Sequence, residues 1–164
     1  MAAYEATVQA ANGALAALER QLTQRARRDP RVARLETMPG VGQVSAQTLV
    51  AAVDTIDRFA SARKLVAYAG LAPSVRASGE RVDYGRITKQ GRSEIRAVWV
   101  QAAHAVLAVK DAGARPLQRW TTRVIRRRGK KTALVALARK LLTIAFHVLR
   151  DESTYDAGRL RCPA

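Results

Sequence analysis

Apolar residues recur at helical spacing over most of the chain. Tyr4, Val8, Ala11, Leu15, Leu18 and Leu22 follow one another at steps of four, three, four, three and four, with Ala, Glu, Gln and Arg between them. That is a heptad seam, and it predicts a coiled-coil or linker helix over residues 1–28. The seam covers under three heptads, and Asn12-Gly13 is expected to interrupt it, so the segment is marginal alone. It can be half of a longer coiled coil, a dimer arm, or a helix packed on the rest of the chain. Asp29-Pro30 then reads as an N-cap followed by the first helical position, restarting the chain.

Further on, a helix of about Gln43 to Val53 is followed by a short one that Ser61 caps and Gly70 ends. Between Pro73 and Ile87 the period changes. Val75, Ala77, Val82 and Tyr84 alternate around Ser78-Gly79, which predicts a small β-hairpin or ordered loop. Helical spacing returns from about Gln90 to Val109, where Ile95, Val98, Trp99, Ala102, Val106 and Val109 share a face. Pro116 opens the next helix, closed by Arg126-Arg127-Arg128-Gly129. The last, Lys130 to Arg150, is apolar almost all round, as a buried or interface helix is. The pattern predicts a mainly α fold: a coiled-coil helix, a helical hairpin, one β-hairpin and three closing helices. The body is expected over 29–150 and a flexible tail over 151–164. His104 and His147 fall within apolar helical faces and read as core or boundary residues, without a catalytic role.

Composition adds a partner. The 164 residues contain 29 Lys and Arg against 13 Asp and Glu, a net charge of +16. Between Arg81 and Lys131 the excess is concentrated, with 14 cations and 3 acids. A folded segment this basic points to a polyanion, DNA above all, rather than to a merely solvated face. No apolar run reaches about 18 residues and no leader pattern opens the chain, so no membrane association is expected. The single cysteine, Cys162, fits a cytoplasmic, nucleoid-associated protein, and the absence of a CxxC pair argues against zinc.

Chemistry first suggests itself at Pro39-Gly40-Val41-Gly42, between two short helices. Pro39 ends the first helix, while Gly40 and Gly42 can take positive φ and bare their backbone N–H groups where the second helix presents its N-terminal donors. Such a site suits a DNA phosphate and resembles the helix-hairpin-helix element, which grips backbone without reading bases. The plainer alternative is a helix end and a tight turn with no ligand.

A longer ordered set carries a more specific resemblance. Met38-Pro-Gly-Val-Gly is followed by Phe59-Ala-Ser-Ala-Arg-Lys-Leu-Val-Ala-Tyr-Ala-Gly-Leu-Ala-Pro73, then Ala77-Ser-Gly, then Gly85-Arg-Ile-Thr-Lys-Gln-Gly91, and finally Arg127-Arg-Gly-Lys-Lys-Thr-Ala-Leu-Val-Ala-Leu-Ala-Arg-Lys-Leu-Leu142. From about Arg31 to Arg150 this is similar to the C-terminal domain of the insertion-sequence one-ten family, the DEDD transposases or bridge-RNA-guided recombinases. The resemblance implies a covalent phosphoserine-DNA intermediate, with Ser78 as nucleophile. It also implies an N-terminal RuvC-like domain that holds Mg²⁺ with four acidic residues, joined through a coiled coil. Asp54, Asp57, Glu80, Asp83, Glu94 and Asp111 do not match those ligands, so no metal or other cofactor is assigned to this chain, and Mg²⁺ is expected in the absent acidic domain.

A serine hydroxyl needs activation to attack a phosphate. Arg76, Arg81, Arg86, Lys89, Arg92 and Arg96 are suited to hold the phosphodiester and offset charge in a pentavalent transition state. With Gly40, Val41, Gly42, Arg126, Arg127, Arg128, Lys130 and Lys131 they form the expected DNA-binding set. On this reading the chain is a truncated transposase, inactive alone, that binds DNA, with a guide RNA as a further implied partner, and forms homo-oligomers or mixed oligomers with intact transposase. The competing reading is a non-catalytic helix-hairpin-helix DNA-binding module. An RNA-binding basic protein fits less well, because no aromatic pair forms a base-stacking motif.

Overall fold

A computed structural model describes residues 1–78 and 81–160, and their side chains except those of residues 2, 76–78 and 81–84. The described residues form seven α-helices and one two-stranded antiparallel sheet: α1 (Ala2–Arg28), α2 (Pro30–Glu36), α3 (Gln43–Val53), α4 (Ala62–Tyr68), β1 (Pro73–Ser78), β2 (Arg81–Ile87), α5 (Ser93–Ala108), α6 (Arg115–Arg128) and α7 (Lys130–Arg150). The fold is mainly α, as the periodicity predicts.

The centre of the body is α7. Leu134, Leu137, Ala138, Leu141, Leu142, Ala145, Phe146, Val148 and Leu149 on α7 are buried, and α2, α4, α5 and α6 all pack against the helix. Its apolar circumference is thus explained by neighbours on several sides. It has the length and hydropathy of a membrane-spanning helix, yet more than half of that window lies inside the protein, as in a core helix. Trp99, Ile95 and Val106 of α5, Leu117 of α6, Leu65 of α4 and Leu35 of α2 complete a core that excludes water. The second apolar face member of α5, Val98, is only partly buried, and Val109 lies beyond the helix end and is exposed.

At the start of α2, Asp29 acts as the expected cap. Its carboxylate accepts hydrogen bonds from the Arg31 backbone N–H (2.9 Å) and from the Arg31 guanidinium (2.8 Å). The guanidinium contact holds the Asp29 carboxyl below the ordinary range, and the same pairing raises Arg31. Arg31 also donates to the Asp54 carbonyl, tying the start of α2 to the end of α3.

Three expectations need correction. Asn12-Gly13 does not interrupt α1, which runs unbroken through it; no other group lies within 4 Å of a methyl placed at Gly13, so the exposed glycine costs the helix only its propensity. His104 and His147 are exposed, on the solvent edges of helices whose neighbouring residues Ala103 and Phe146 are buried. The tail is anchored through residue 160: the Tyr155 N–H donates to the Thr37 hydroxyl (2.9 Å), its phenol donates to the Gly113 carbonyl (2.8 Å), and Glu152 pairs with Arg34 (2.7 Å). Cys162 lies outside the described residues.

The feature that positions the sheet is the end of α4. Gly70, at φ +68, closes a Schellman turn in which its N–H donates to the Ala67 carbonyl and the Leu71 N–H to the Val66 carbonyl. The next carbonyls are then claimed by the segment after β2. Arg92 N–H donates to Tyr68 (2.9 Å), Lys89 N–H to Gly70 (3.1 Å) and Thr88 N–H to Ala72 (2.9 Å). The Arg96 guanidinium donates to the carbonyls of Ala69 and Lys89, each at 3.2 Å. Gly91, at φ +124, lies against the Tyr68 carbonyl, leaving no space for a Cβ. Both ends of the β-hairpin are thereby fastened to one point on the helical body.

Gly91→Ala should therefore cost stability by about 3 kcal/mol, since it combines a backbone collision with a positive φ. Gly13→Ala should instead stabilise α1 by up to about 1 kcal/mol. Urea unfolding followed by circular dichroism checks both; equal effects of the two substitutions would refute the account of the clasp.

Candidate nucleic-acid interface

The turn between α2 and α3 sits where the sequence places it, but its two glycines do different things. Gly40 has φ +74, and a Cβ there would come within 2.6 Å of the Ala102 carbonyl and 2.7 Å of Val106 on α5. Its lack of a side chain thus permits close packing of the turn onto α5. Val41 is buried beside it. Gly42 is the exposed member; its φ of −101 is ordinary extended backbone, which corrects the expectation of a second positive φ. Gly42 is the N-cap of α3 without a side-chain cap, so the donors of the first turn face solvent there. Of this trio, only Gly42 is open to a phosphate.

The hairpin residues divide similarly. The ladder pairs Val75 with Tyr84, Arg76 with Asp83, Ala77 with Val82 and Ser78 with Arg81, with an irregularity between Pro73 and Val75. Ser78 is thus the last paired residue of β1. The side chains of Arg76, Ser78 and Arg81 lie outside the described residues, as does Gly79. On the described part, Arg86 is exposed on β2, and Lys89 is exposed in the clasp with φ +56, a value rarely taken by residues other than glycine. Arg92 forms a half-exposed pair with Glu94 at 3.2 Å, which contributes little. Arg96 is committed to the Ala69 and Lys89 carbonyls, so its charge holds the clasp together.

Arg126, Arg127, Arg128, Lys130 and Lys131 are all exposed around Gly129, whose φ of +81 turns α6 into α7. They lie where α6 ends and α7 begins, which favours the cations of α6 at a helix C-terminus even with no ligand. A stretch of the surface not singled out from the sequence continues them. Arg115, Arg119, Arg123 and Arg126 lie at steps of four, four and three along α6, and with Gln118 and Thr122 line a shallow groove of about 460 Å³. Each of the four is exposed, and none of them joins an ion pair among the described residues. The signal was present in the spacing Arg115-x₃-Arg119-x₃-Arg123, which places like charges on one face, normally a destabilising arrangement. Such a row spans about 16 Å of helix and can meet several phosphates of a DNA strand.

If this row contacts DNA, the logarithm of affinity should fall linearly with the logarithm of salt concentration, at about 0.9 per phosphate neutralised. Arg119→Ala with Arg123→Ala should flatten that slope by nearly two such contacts without changing the relative affinity for different sequences. Fluorescence anisotropy with labelled duplexes measures this. An unchanged slope would exclude the α6 row as the contact.

Comparison with known proteins is consistent with this basic, hairpin-bearing body. The chain is 31% identical over 144 residues to a probable family 20 transposase of Pseudomonas aeruginosa, an overlap of 88% of this chain and 43% of that protein. It is 33% identical over 125 residues to the transposase for insertion sequence element IS1111A of Coxiella burnetii, covering 76% of this chain and 34% of the relative. It is also 32% identical over 129 residues to the pilin gene-inverting protein of Moraxella bovis, covering 77% and 39% respectively. The chain thus spans about two fifths of the length of these relatives. The profile of the transposase IS116/IS110/IS902 family matches residues 32–119, a stretch that runs from α2 through the turn, the clasp, the hairpin and α5 into α6. The chain belongs to the IS116/IS110/IS902 transposase family.

Proposed function

We propose that this chain is a DNA-binding, serine-bearing domain that acts in transposition or site-specific recombination. Ser78 is the nucleophile of the reaction. Its hydroxyl oxygen bonds to the scissile phosphorus, one bridging P–O bond of the DNA breaks, and the released deoxyribose hydroxyl takes up a proton. Attack by a new DNA hydroxyl on the phosphoserine then restores Ser78 and joins the new strand, conserving the phosphodiester energy.

The observation that carries this reading is the placement of Ser78. It ends β1, opposite Arg81, on a hairpin whose two ends are fastened to the body by the clasp. A nucleophile on a short, anchored ladder is held in place before DNA arrives, which reduces the entropic cost of alignment. The exposed cations Arg86, on β2, and Lys89, in the clasp, lie at the base of the hairpin and suit phosphates flanking the one attacked.

Acidic residues that hold Mg²⁺ come from a further domain or partner, as the family resemblance implies. Association through α1 brings them near. Residues 3–22 are exposed throughout, and Tyr4, Leu15, Leu18 and Leu22 each leave more than half of their surface in water. Only the end of α1 touches the body, through buried Ala26 and a hydrogen bond from Gln47 to the Leu22 carbonyl. A seam left open in this way is suited to a second helix, from another copy or from an intact transposase. The domain works in the cytoplasm on DNA, with a guide RNA as the further partner the family resemblance implies.

Ser78→Ala should abolish strand transfer in a reaction supplied with the acidic domain, while DNA affinity changes by less than about twofold. Trapping the protein–DNA adduct on a denaturing gel tests the covalent step. Retained transfer by the alanine variant would move the nucleophile elsewhere, and equal loss of binding would favour a module that only holds DNA.

A separate expectation concerns assembly. Leu15→Asp with Leu18→Asp places charges in the seam, where an unpaired buried charge costs several kcal/mol. The doubly substituted chain should sediment as a smaller species than the wild type and still bind DNA. Identical sedimentation of the two would remove α1 as the assembly element.

A further inference from the structure

A second groove, distinct from the arginine row, opens beside the base of the hairpin and has no role in the reading above. Its volume is about 600 Å³, and α4, β1, α6 and α7 all contribute to its walls. Arg63, Arg139 and Lys140 supply its charge, while Trp120, Pro73 and Val75 supply much of its apolar surface. No carboxylate of the described residues lines it. The groove therefore presents three cations beside an aromatic ring and an aliphatic wall, on a scale that admits a nucleotide rather than a simple ion.

Two details show that Lys140 and Arg139 are not merely solvated surface charges, unlike the exposed Arg63. The Lys140 ammonium lies 5.0 Å from the centroid of the Trp120 ring, a cation–π contact that orders both side chains. Arg139 is half-buried, and its Nε is buried with no hydrogen-bond partner among the described residues. Burial also lowers the Arg139 pKa, the sign of a guanidinium that has lost water without gaining a carboxylate. An unmade bond at such a group is costly, and an anionic oxygen brought into the groove would supply it.

We infer that this groove binds an unpaired nucleotide of the DNA strand, with its phosphate on Arg139, Lys140 and Arg63 and its base against Trp120 and the Pro73–Val75 wall. Stacking on an aromatic ring is available only to a base free of its partner. The position along the hairpin fits that role, since Val75 precedes Ser78 by three residues on β1, about 10 Å at 3.3 Å per residue. The groove therefore lies close along the strand to the phosphate that Ser78 attacks. The inference rests on the reading of Ser78 as nucleophile for that distance, but the binding itself can be tested without cleavage.

Trp120 reports on the groove directly, because the other tryptophan, Trp99, is fully buried in the core. A single-stranded oligonucleotide titrated into the full chain should quench tryptophan emission, and Trp120→Phe should remove the change. A fully paired duplex of the same sequence should bind, by anisotropy, with much smaller quenching. Lys140→Gln should weaken single-strand affinity about tenfold and duplex affinity less than twofold; Arg139→Gln should do the same, with circular dichroism confirming its fold. The inference is overturned if single-stranded DNA binds without quenching, if duplex and single strand quench alike, or if the Lys140 variant weakens both equally. Equal quenching by hexaglutamate would also overturn it, in favour of an acidic peptide. If DNA binds but Trp120 does not respond, the groove assignment fails while the DNA-binding reading stands; if no DNA of either form binds, both fail.

Discussion

The capture of the α4 carbonyls by the segment after β2 is the constraint on which the candidate site depends. A helix ends with carbonyls that its own backbone cannot satisfy, and here those of Tyr68, Ala69 and Gly70, with that of Ala72, are answered from residues 88–96. A two-stranded hairpin is marginal in water by itself, so its geometry must be imposed from its base. Gly70 and Gly91 allow the two segments to approach backbone to backbone, and the Arg96 guanidinium, donating to both sides, closes the gap. The clasp thus converts the packing of α4 and α5 on α7 into a fixed orientation for β1 and β2.

That arrangement also separates cations by task, which their number alone hides. Arg96 spends its donors on carbonyls, Arg31 on Asp29 and the end of α3, and Arg34 on Glu152. These contacts join elements distant in sequence and would weaken the body if they were diverted to DNA. The row on α6 has the opposite character: exposed, mutually repelling and tied to no carboxylate among the described residues. A core helix as apolar as α7 tolerates this repulsion, because burial there does not depend on surface charge. A polyanion that neutralises the row would stabilise the folded state as well as being bound by it.

Much of the fold was legible in the sequence because the signals were local. Asp29-Pro30 starts α2, Gly70 ends α4, and the apolar run after Gly129 becomes α7 with the expected ends. Alternation of Val75 and Ala77 with Val82 and Tyr84 pointed to a hairpin or ordered loop, and the ladder pairs Val75 with Tyr84 and Ala77 with Val82. What remained hidden depends on partners distant in the chain. Nothing near Gly40 announces that Ala102 and Val106 will lie against it, and nothing near Arg96 announces carbonyls 27 residues earlier. Tyr155 lies in a polar tail, yet reaches Thr37 and Gly113. The Arg115–Arg126 row was available from spacing, but only the fold shows that its face has no neutralising partner among the described residues.

The same distinction bears on how the site is completed. A helical periodicity specifies which residues face a partner without specifying the partner, and α1 and α7 are the two extremes of that statement. On α7 the apolar positions meet α2, α4, α5 and α6 within this chain. On α1 the positions from Tyr4 to Leu22 meet water over about 27 Å of helix, with only Ala26 inside the body. The transfer free energy of such a stripe is realised only when another apolar surface covers it. The open seam of α1 therefore favours the assembly proposed above. On the proposed reading, this domain would supply the held nucleophile and the cationic surface, and a partner joined along α1 would supply the metal-binding acids.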